Sequence, residues 1–271
     1  MKSSSNNTRS SINILGIPII LTSIYYEFLF PFLVLIILCI CSLEYVKLIN
    51  RLNADLSLSL LLPFNLLIFL NAYFIFFNEL EMLISFLILS FIYEILFHKT
   101  SSTQNVAFYL MGAILIGYCL SASLIQIRYI DNGFYYTLAL FISVWVCDTF
   151  AFFFGCKLGK SKILPAISPN KTWVGCISGL FGSAIIFSLF YFLNNKFQLD
   201  INLDMMHIVV LSLITGIFGQ IGDFAESAMK RQAHIKDTGS ILMGHGGFLD
   251  RFDSITFAAP LYYIYITNFI K

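Results

Sequence analysis

Apolar runs of roughly 20 residues recur along this chain, and that feature limits its fold more than any other. A helix rises about 1.5 Å per residue, so a run of that length matches the hydrocarbon core of a bilayer. Inside lipid each backbone N–H and C=O must be paired within the structure, which leaves helices or closed barrels. The alternating short strands and turns of a barrel do not occur in the pattern. The expected fold class is therefore all-α, a polytopic integral membrane protein of about nine transmembrane helices. The composition agrees: 58% of the 271 residues are hydrophobic, only 11% are charged, and the mean hydropathy is +0.84.

The expected spans are about 12–26, 28–46, 58–77, 80–97, 106–127, 133–156, 172–193, 206–226 and 252–270. Only Glu27 separates the first two, so a hairpin and one long broken helix both fit there. With nine spans and a cytoplasmic amino terminus, most of the 16 basic residues fall on the cytoplasmic side. They are Lys2, Arg9, Lys47, Arg51, Lys99, Lys157, Lys160, Lys162, Lys171, Lys230, Arg231, Lys236 and Arg251. The opposite side keeps Arg128, Lys196 and Lys271, as the positive-inside rule requires. Both long polar loops then face the cytoplasm from an inner or cell membrane, where nucleotides and Mg2+ are found. The polar start MKSSSNNTRSS lacks a following small-residue cleavage site and reads as an uncleaved amino terminus. Cys39, Cys41, Cys119, Cys147, Cys156 and Cys176 lie in or at the ends of apolar runs without a CxxC pair. They read as small buried hydrophobes.

Internal hydropathy repeats are not evident, which argues against an inverted-repeat transporter. The chain reads as a single membrane domain, 1–271. Its scaffold half is about 1–130, and its motif-bearing catalytic half is about 131–271.

Charge collects in two places. At the end of the eighth run, Asp223, Glu226 and Lys230 stand at i, i+3 and i+7, with Ser227 at i+4, and therefore share one helical face. Such a set is costly at a membrane helix end unless it meets a metal, a counter-ion or water. A self-neutralising ladder of ion pairs is the plainer reading. Beyond it, Asp250, Arg251 and Asp253 open the last span, where an acid also stabilises a helix start through the macrodipole. Two acid pairs flanking a Gly-rich loop supply the oxygen donors that Mg2+ prefers. Gly244, Gly246 and Gly247 permit close backbone approach to an anion, and His245 among them is either a site residue or a turn residue.

The second polar segment runs from Phe154 to Gly175. Topology accounts for Lys157 and Lys162. Ser168-Pro169-Asn170-Lys171-Thr172 directly precedes a span, where Asn170 or Thr172 can cap the helix, and the positive helix end with Lys171 suits a phosphate. The GxxxxGK[ST] pattern of a P-loop is missing. Asp148 lies inside the sixth span, as a functional acid or as the buried partner of a basic loop residue. Glu94, near the end of the fourth, fits an interfacial position.

Together these motifs resemble the phosphatidate cytidylyltransferase, or CDP-diacylglycerol synthase, family. The resemblance rests on Ser227-Ala-Met-Lys230-Arg231, Lys236-Asp237-x-Gly239 and His245-Gly246-Gly247-x-x-Asp250-Arg251-x-Asp253. Upstream, Asp148, Gly155-x3-Gly159-Lys160 and Ser168-Pro169-Asn170-Lys171-Thr172-Trp173 agree. The motifs cover roughly the last 125 residues, and the first half matches only as apolar helices. Many relatives carry an acid where this chain has Val174, and Pro where it has Met243.

The resemblance implies CTP and phosphatidic acid as substrates among membrane lipids, Mg2+ as cofactor with a second cation left open, and no nucleic acid. It leaves homodimerisation open as well. It places the family's metal-binding aspartates on Asp223 and Asp250, with Asp253 and Glu226 as further metal candidates. Asp223, Asp250, Lys230 and Arg251 form the expected catalytic set, with Lys230, Arg231, Lys236 and Arg251 neutralising CTP phosphates. Ser168, Lys171 and Thr172 are expected to hold a phosphate, and Asp148 to organise that loop or contact a cation. Ser227, Asp237, His245, Gly246 and Gly247 complete the substrate-binding set. Two rivals remain. One is another CTP-using lipid enzyme, either dolichol kinase-like or an archaeal-type lipid cytidylyltransferase. The other is a transporter or channel, which would need acids near mid-span and paired broken helices.

Overall fold

The computed structural model describes residues 16–97, 102–199, 201–239 and 246–270. Among these residues extended pairing is confined to one isolated antiparallel bridge, Lys162 to Thr172. The helices are α1 (Gly16–Tyr25), α2 (Leu29–Asn50), α3 (Leu58–Phe74), α4 (Glu79–Phe97), α5 (Thr103–Tyr129), α6 (Gly133–Leu158), α7 (Trp173–Phe197), α8 (Met205–Gln232) and α9 (Leu249–Phe269). This is an all-α membrane architecture. Among the described residues, α2, α4, α5, α6, α7 and α8 are long and apolar enough to cross a bilayer, while α1 and α3 are shorter apolar helices. The described residues form two compact units. One takes the chain up to Tyr129 together with Asp237–Arg251, and the other takes Ile130–Lys236 and Phe252 onward.

In the first unit a turn at Tyr26–Phe28 separates α1 from α2, so neither is part of one continuous helix. A π-helical stretch, Ala113–Ala122, interrupts α5. Two glycines there admit close neighbours: a methyl at Gly112 would come within 2.6 Å of the Tyr45 ring, and one at Gly117 within 2.5 Å of Ile68. Small residues at such crossings let membrane helices approach closely without a hydrophobic driving force between them. Glu94 departs from the interfacial reading. It is fully buried and accepts a hydrogen bond from Asn105 Nδ2 at 2.8 Å, because Asn105 supplies the donor that its carboxylate needs.

Asparagines close several connections. Asn50, in the last turn of α2, donates to the Leu56 carbonyl at 3.0 Å and accepts from the Leu56 N–H at 2.7 Å. Asn71 treats Phe77 in the same way, at 3.1 and 2.7 Å. In the second unit Asn194 brackets Ile201, at 2.7 and 3.2 Å. An amide carries a donor and an acceptor side by side, so it can replace a strand partner for one residue.

The second unit is dominated by α6 packed along α7. Gly175, Gly179 and Gly182 recur at i, i+4 and i+7 on α7 and face α6. A methyl at Gly175 would lie 2.7 Å from the Ala151 carbonyl, and one at Gly179 would lie 3.0 Å from that of Cys147. α8 begins with Asp204 accepting from the His207 N–H and passes through a second π-helical stretch, Ile214–Phe218. It then runs to Gln232, beyond the expected end at about 226, because the charged face from Asp223 onward continues the helical register. Cys41 and Cys147 are buried as expected. Cys156 is exposed on the last turn of α6, beside the exposed Lys157, which corrects the reading of all six as buried.

Candidate active site

In the second unit, two ends of helices and one loop bring charges together. Thr172 caps α7, its hydroxyl accepting from the Gly175 N–H at 3.1 Å. Of the two caps that the sequence allows, Asn170 and Thr172, the helix uses Thr172. The Trp173 N–H donates to the Ser161 carbonyl, so this helix start already has partners at two of its first three N–H groups. An anion here would therefore depend on the Lys171 ammonium more than on the helix end.

Lys171 reaches from that loop to α8, where its Nζ lies 2.6 Å from Asp223 Oδ2 and 4.1 Å from the centre of the Phe224 ring. Both members of the ion pair are partly accessible. The Ser227 hydroxyl donates to Asp223 Oδ1 at 3.3 Å. Asp148, exposed on α6, lies within electrostatic range of Asp253, Asp223 and Lys171. Asp253 in turn lies against Glu226 and within range of Asp223 and Lys230, and its Oδ1 accepts from the Ser254 N–H at 2.6 Å. Gly222 makes room for α9: a methyl there would overlap the Asp253 carbonyl.

The face expected from spacing is present, but its members have different partners. Glu226 and Lys230 form a buried i, i+4 ion pair at 2.7 Å, the plainer reading for those two. Asp223 turns instead to Lys171. Arg231 donates from Nε to the Ile167 carbonyl and from Nη1 to the Ile235 carbonyl, both at 3.2 Å. It thereby ties the Ser168 loop to the end of α8. Ser168 sits in a turn, its N–H donating to the Leu164 carbonyl. Lys236, Asp237 and Arg251 are exposed.

The first unit holds the second acid motif. Asp250 Oδ2 accepts three hydrogen bonds: from the Thr238 N–H at 2.9 Å, the Thr238 hydroxyl at 2.9 Å and the Gly247 N–H at 2.7 Å. That single oxygen joins the two ends of the Gly-rich loop. Gly246 stands at φ +82°, where a side chain would be strained, so its glycine is needed for the backbone turn. His245, Gly244 and Met243 lie outside the described residues.

Sequence reasoning missed Glu44, on α2 of the same unit. Its Oε2 accepts from the Leu249 N–H at 2.8 Å and lies 3.3 Å from the Thr238 hydroxyl oxygen. Methyl groups at Gly239 or Gly247 would overlap its carboxylate. The anions nearest these motif glycines are thus the protein's own. The available signal was a lone acid inside a strongly apolar helix, which is unfavourable without a partner.

Among the described residues, no three His, Cys, Asp or Glu side chains converge tightly enough to cage a metal ion by themselves. Mg2+ does not require that. It commonly takes one or two carboxylates and completes its octahedron with waters and substrate phosphates. Asp223, partly accessible and joined by no more than one further carboxylate such as Asp148 or Asp253, has the hard oxygen donors that suit that kind of open site.

The family model for the cytidylyltransferase family matches residues 7–269. The chain is 41% identical over 178 residues to a phosphatidate cytidylyltransferase of Staphylococcus aureus (strain COL), which covers 65% of this chain and 64% of that protein. It is 41% identical over 181 residues to the phosphatidate cytidylyltransferase of Staphylococcus haemolyticus (strain JCSC1435), with the same coverage. With that of Bacillus subtilis (strain 168) it shares 35% over 193 residues, 71% of this chain and 70% of the relative. The match thus spans a little under two thirds of the staphylococcal relatives.

Proposed function

Since this chain belongs to the cytidylyltransferase family, we propose that it transfers the cytidylyl group of CTP to phosphatidic acid, giving CDP-diacylglycerol and pyrophosphate. The observation that carries the reading is the Lys171–Asp223 pair, partly accessible and within range of Asp148 and Asp253. A cation and several acids held together at helix ends suit a polyphosphate and its metal better than they suit a merely structural ion pair.

In this reading an oxygen of the phosphatidic acid phosphate attacks the α-phosphorus of CTP. The bond from that phosphorus to the bridging α–β oxygen breaks, and its electron pair leaves with pyrophosphate. The nucleophile is already an anion, so the protein has little proton transfer to perform. Its task is to bring two anions together and to stabilise the leaving charge. Lys171 exchanges its Asp223 partner for a phosphate as substrate arrives, and Ser168, Lys236 and Arg251 add polar and cationic contacts. Arg231 holds the Ser168 loop in place. In the second unit, Asp223 and Asp253 are proposed to hold Mg2+, with Glu226 able to join them only by releasing Lys230; in the first unit, taken by itself, Asp250 is the proposed metal carboxylate. When bound, Mg2+ supplies charge neutralisation across the phosphates. Both polar loops face the cytoplasm, the side from which CTP comes.

The test is Mg2+-dependent turnover by the purified protein in detergent with CTP and phosphatidic acid, following pyrophosphate and lipid product, with Asp250→Asn alongside. CDP-diacylglycerol from the wild type alone is the expected result. A folded wild type without product rejects phosphatidic acid as acceptor. Release of CDP instead of pyrophosphate would indicate phosphoryl transfer by a different CTP-using lipid enzyme.

A further inference from the structure

Glu44 belongs to a helix otherwise committed to lipid and packing, yet its side chain is 1% exposed and both oxygens face the motif loop. Oε2 receives the Leu249 N–H at 2.8 Å and lies 3.3 Å from the Thr238 hydroxyl oxygen, whose proton goes to Asp250. Oε1 is buried with no hydrogen-bond partner among the described residues, against Gly239. A buried carboxylate left half-satisfied is unfavourable, and it persists where it orders something else. Here it touches the loop at four points of its sequence: Thr238, Gly239, Gly247 and Leu249.

Every one of those points bears on Asp250. Thr238 gives Asp250 Oδ2 both its N–H and its hydroxyl, and Gly247 gives its N–H. Leu249 is the residue before it. Were Glu44 a space-filler, a Leu or Met would fill the gap without the cost of desolvation. A carboxylate adds directed, charge-assisted acceptance from a backbone N–H, which fixes the place of the Leu249–Asp250 backbone.

We propose that Glu44 is a positioning residue for the nucleotidyl transfer, seating Thr238, Gly239, Gly247 and Leu249 and through them setting the place of Asp250. The assignment rests on the reading of Asp250 as a metal-binding carboxylate. It accounts for Gly239, which lacks positive φ and where the nearest atoms to an added methyl all belong to Glu44; at Gly247 a methyl would overlap Glu44 and the Thr238 hydroxyl alike.

The experiment compares Glu44→Ala, Glu44→Gln, Gly239→Ala and the double variant Glu44→Ala/Gly239→Ala in the full-length protein. Turnover is measured against Mg2+ and against phosphatidic acid, and tryptic cleavage after the exposed Lys236 is followed in parallel. Glu44→Ala is expected to lower kcat roughly 10- to 100-fold and to raise the Mg2+ concentration for half-activation several-fold, with KM for phosphatidic acid unchanged. Glu44→Gln keeps an acceptor of the same shape and recovers most of that loss. Gly239→Ala reproduces the shifted Mg2+ response, and the double variant is no worse than the poorer single one, because both act on one contact. Cleavage after Lys236 accelerates in Glu44→Ala and returns toward wild type in Glu44→Gln.

A Glu44→Ala protein with the kcat and Mg2+ response of the wild type overturns the proposal, as does a loss that Gln fails to recover. A wild type without turnover rejects the phosphatidate reading instead. In that event equal cleavage rates for wild type and Glu44→Ala still overturn the seating itself, and faster cleavage in Glu44→Ala supports it.

Discussion

Asp223 and Asp250 look interchangeable in the sequence, each the first acid of a pair at a helix end, but the molecule holds them in opposite ways. Asp223 faces a lysine side chain from a loop, at 2.6 Å and in partial contact with solvent. Asp250 receives two backbone N–H groups and a hydroxyl on one oxygen. A lysine side chain is flexible and can leave its partner without disturbing the fold, whereas backbone donors cannot. One carboxylate is therefore held by an exchangeable contact and the other is fixed in the fold. Replacing either should affect catalysis, but only the second should also affect stability.

Asp250→Asn is the severest way to break that comparison. An amide keeps one oxygen for the three donors but gives up the charge that strengthens those bonds and would bind a metal, so turnover should drop by about 10³-fold and stability by roughly 1–2 kcal/mol. Thermal unfolding and turnover of the same sample would show both losses, and an unchanged melting temperature would contradict the fixed-carboxylate view. Asp223→Asn should lower turnover by about 10²-fold. Its melting temperature should scarcely move, since a partly exposed ion pair contributes only about 0–1 kcal/mol. Lys171→Met should cost less, roughly 10-fold and chiefly in KM for CTP, because one of several cations is lost. Titrating CTP at saturating lipid separates that from a kcat effect. Smallest is Thr172→Val, which removes the α7 cap and should lower stability by about 1 kcal/mol, with Thr172→Ser restoring it.

The sequence carried the helical layers and the grouping of Asp223, Glu226 and Lys230 because both follow from local period. It also carried a cap before Trp173, since Ser, Thr, Asp and Asn at that position recur for a local reason. Partners across long separations were not legible. Spacing alone gives no sign that Lys171 meets Asp223, or that Glu44 meets a loop about 200 residues later. Nor does spacing show that the Arg231 guanidinium, expected at the phosphates, holds the Ile167 and Ile235 carbonyls. Glu44 had a visible signal, a carboxylate in an apolar helix, but its neighbour Lys47 made the site resemble an ordinary helix end near the membrane surface.

The bracketing asparagines bear on where foreign sequence can be grafted into this protein. Asn50 and Asn71 each bind both polar groups of the residue six positions on. Those turns are set to a fixed number of residues, and an epitope or fluorophore inserted at 51–55 or 72–76 would break both bonds of the bracket, at the exposed Asn50 or the buried Asn71. The exposed Leu164–Ala166 stretch has no such side-chain bracket, but its turn is closed by two bonds to the Leu164 carbonyl, from the Ile167 and Ser168 N–H groups, so a reporter placed there would break as many bonds and also sit beside the chemistry.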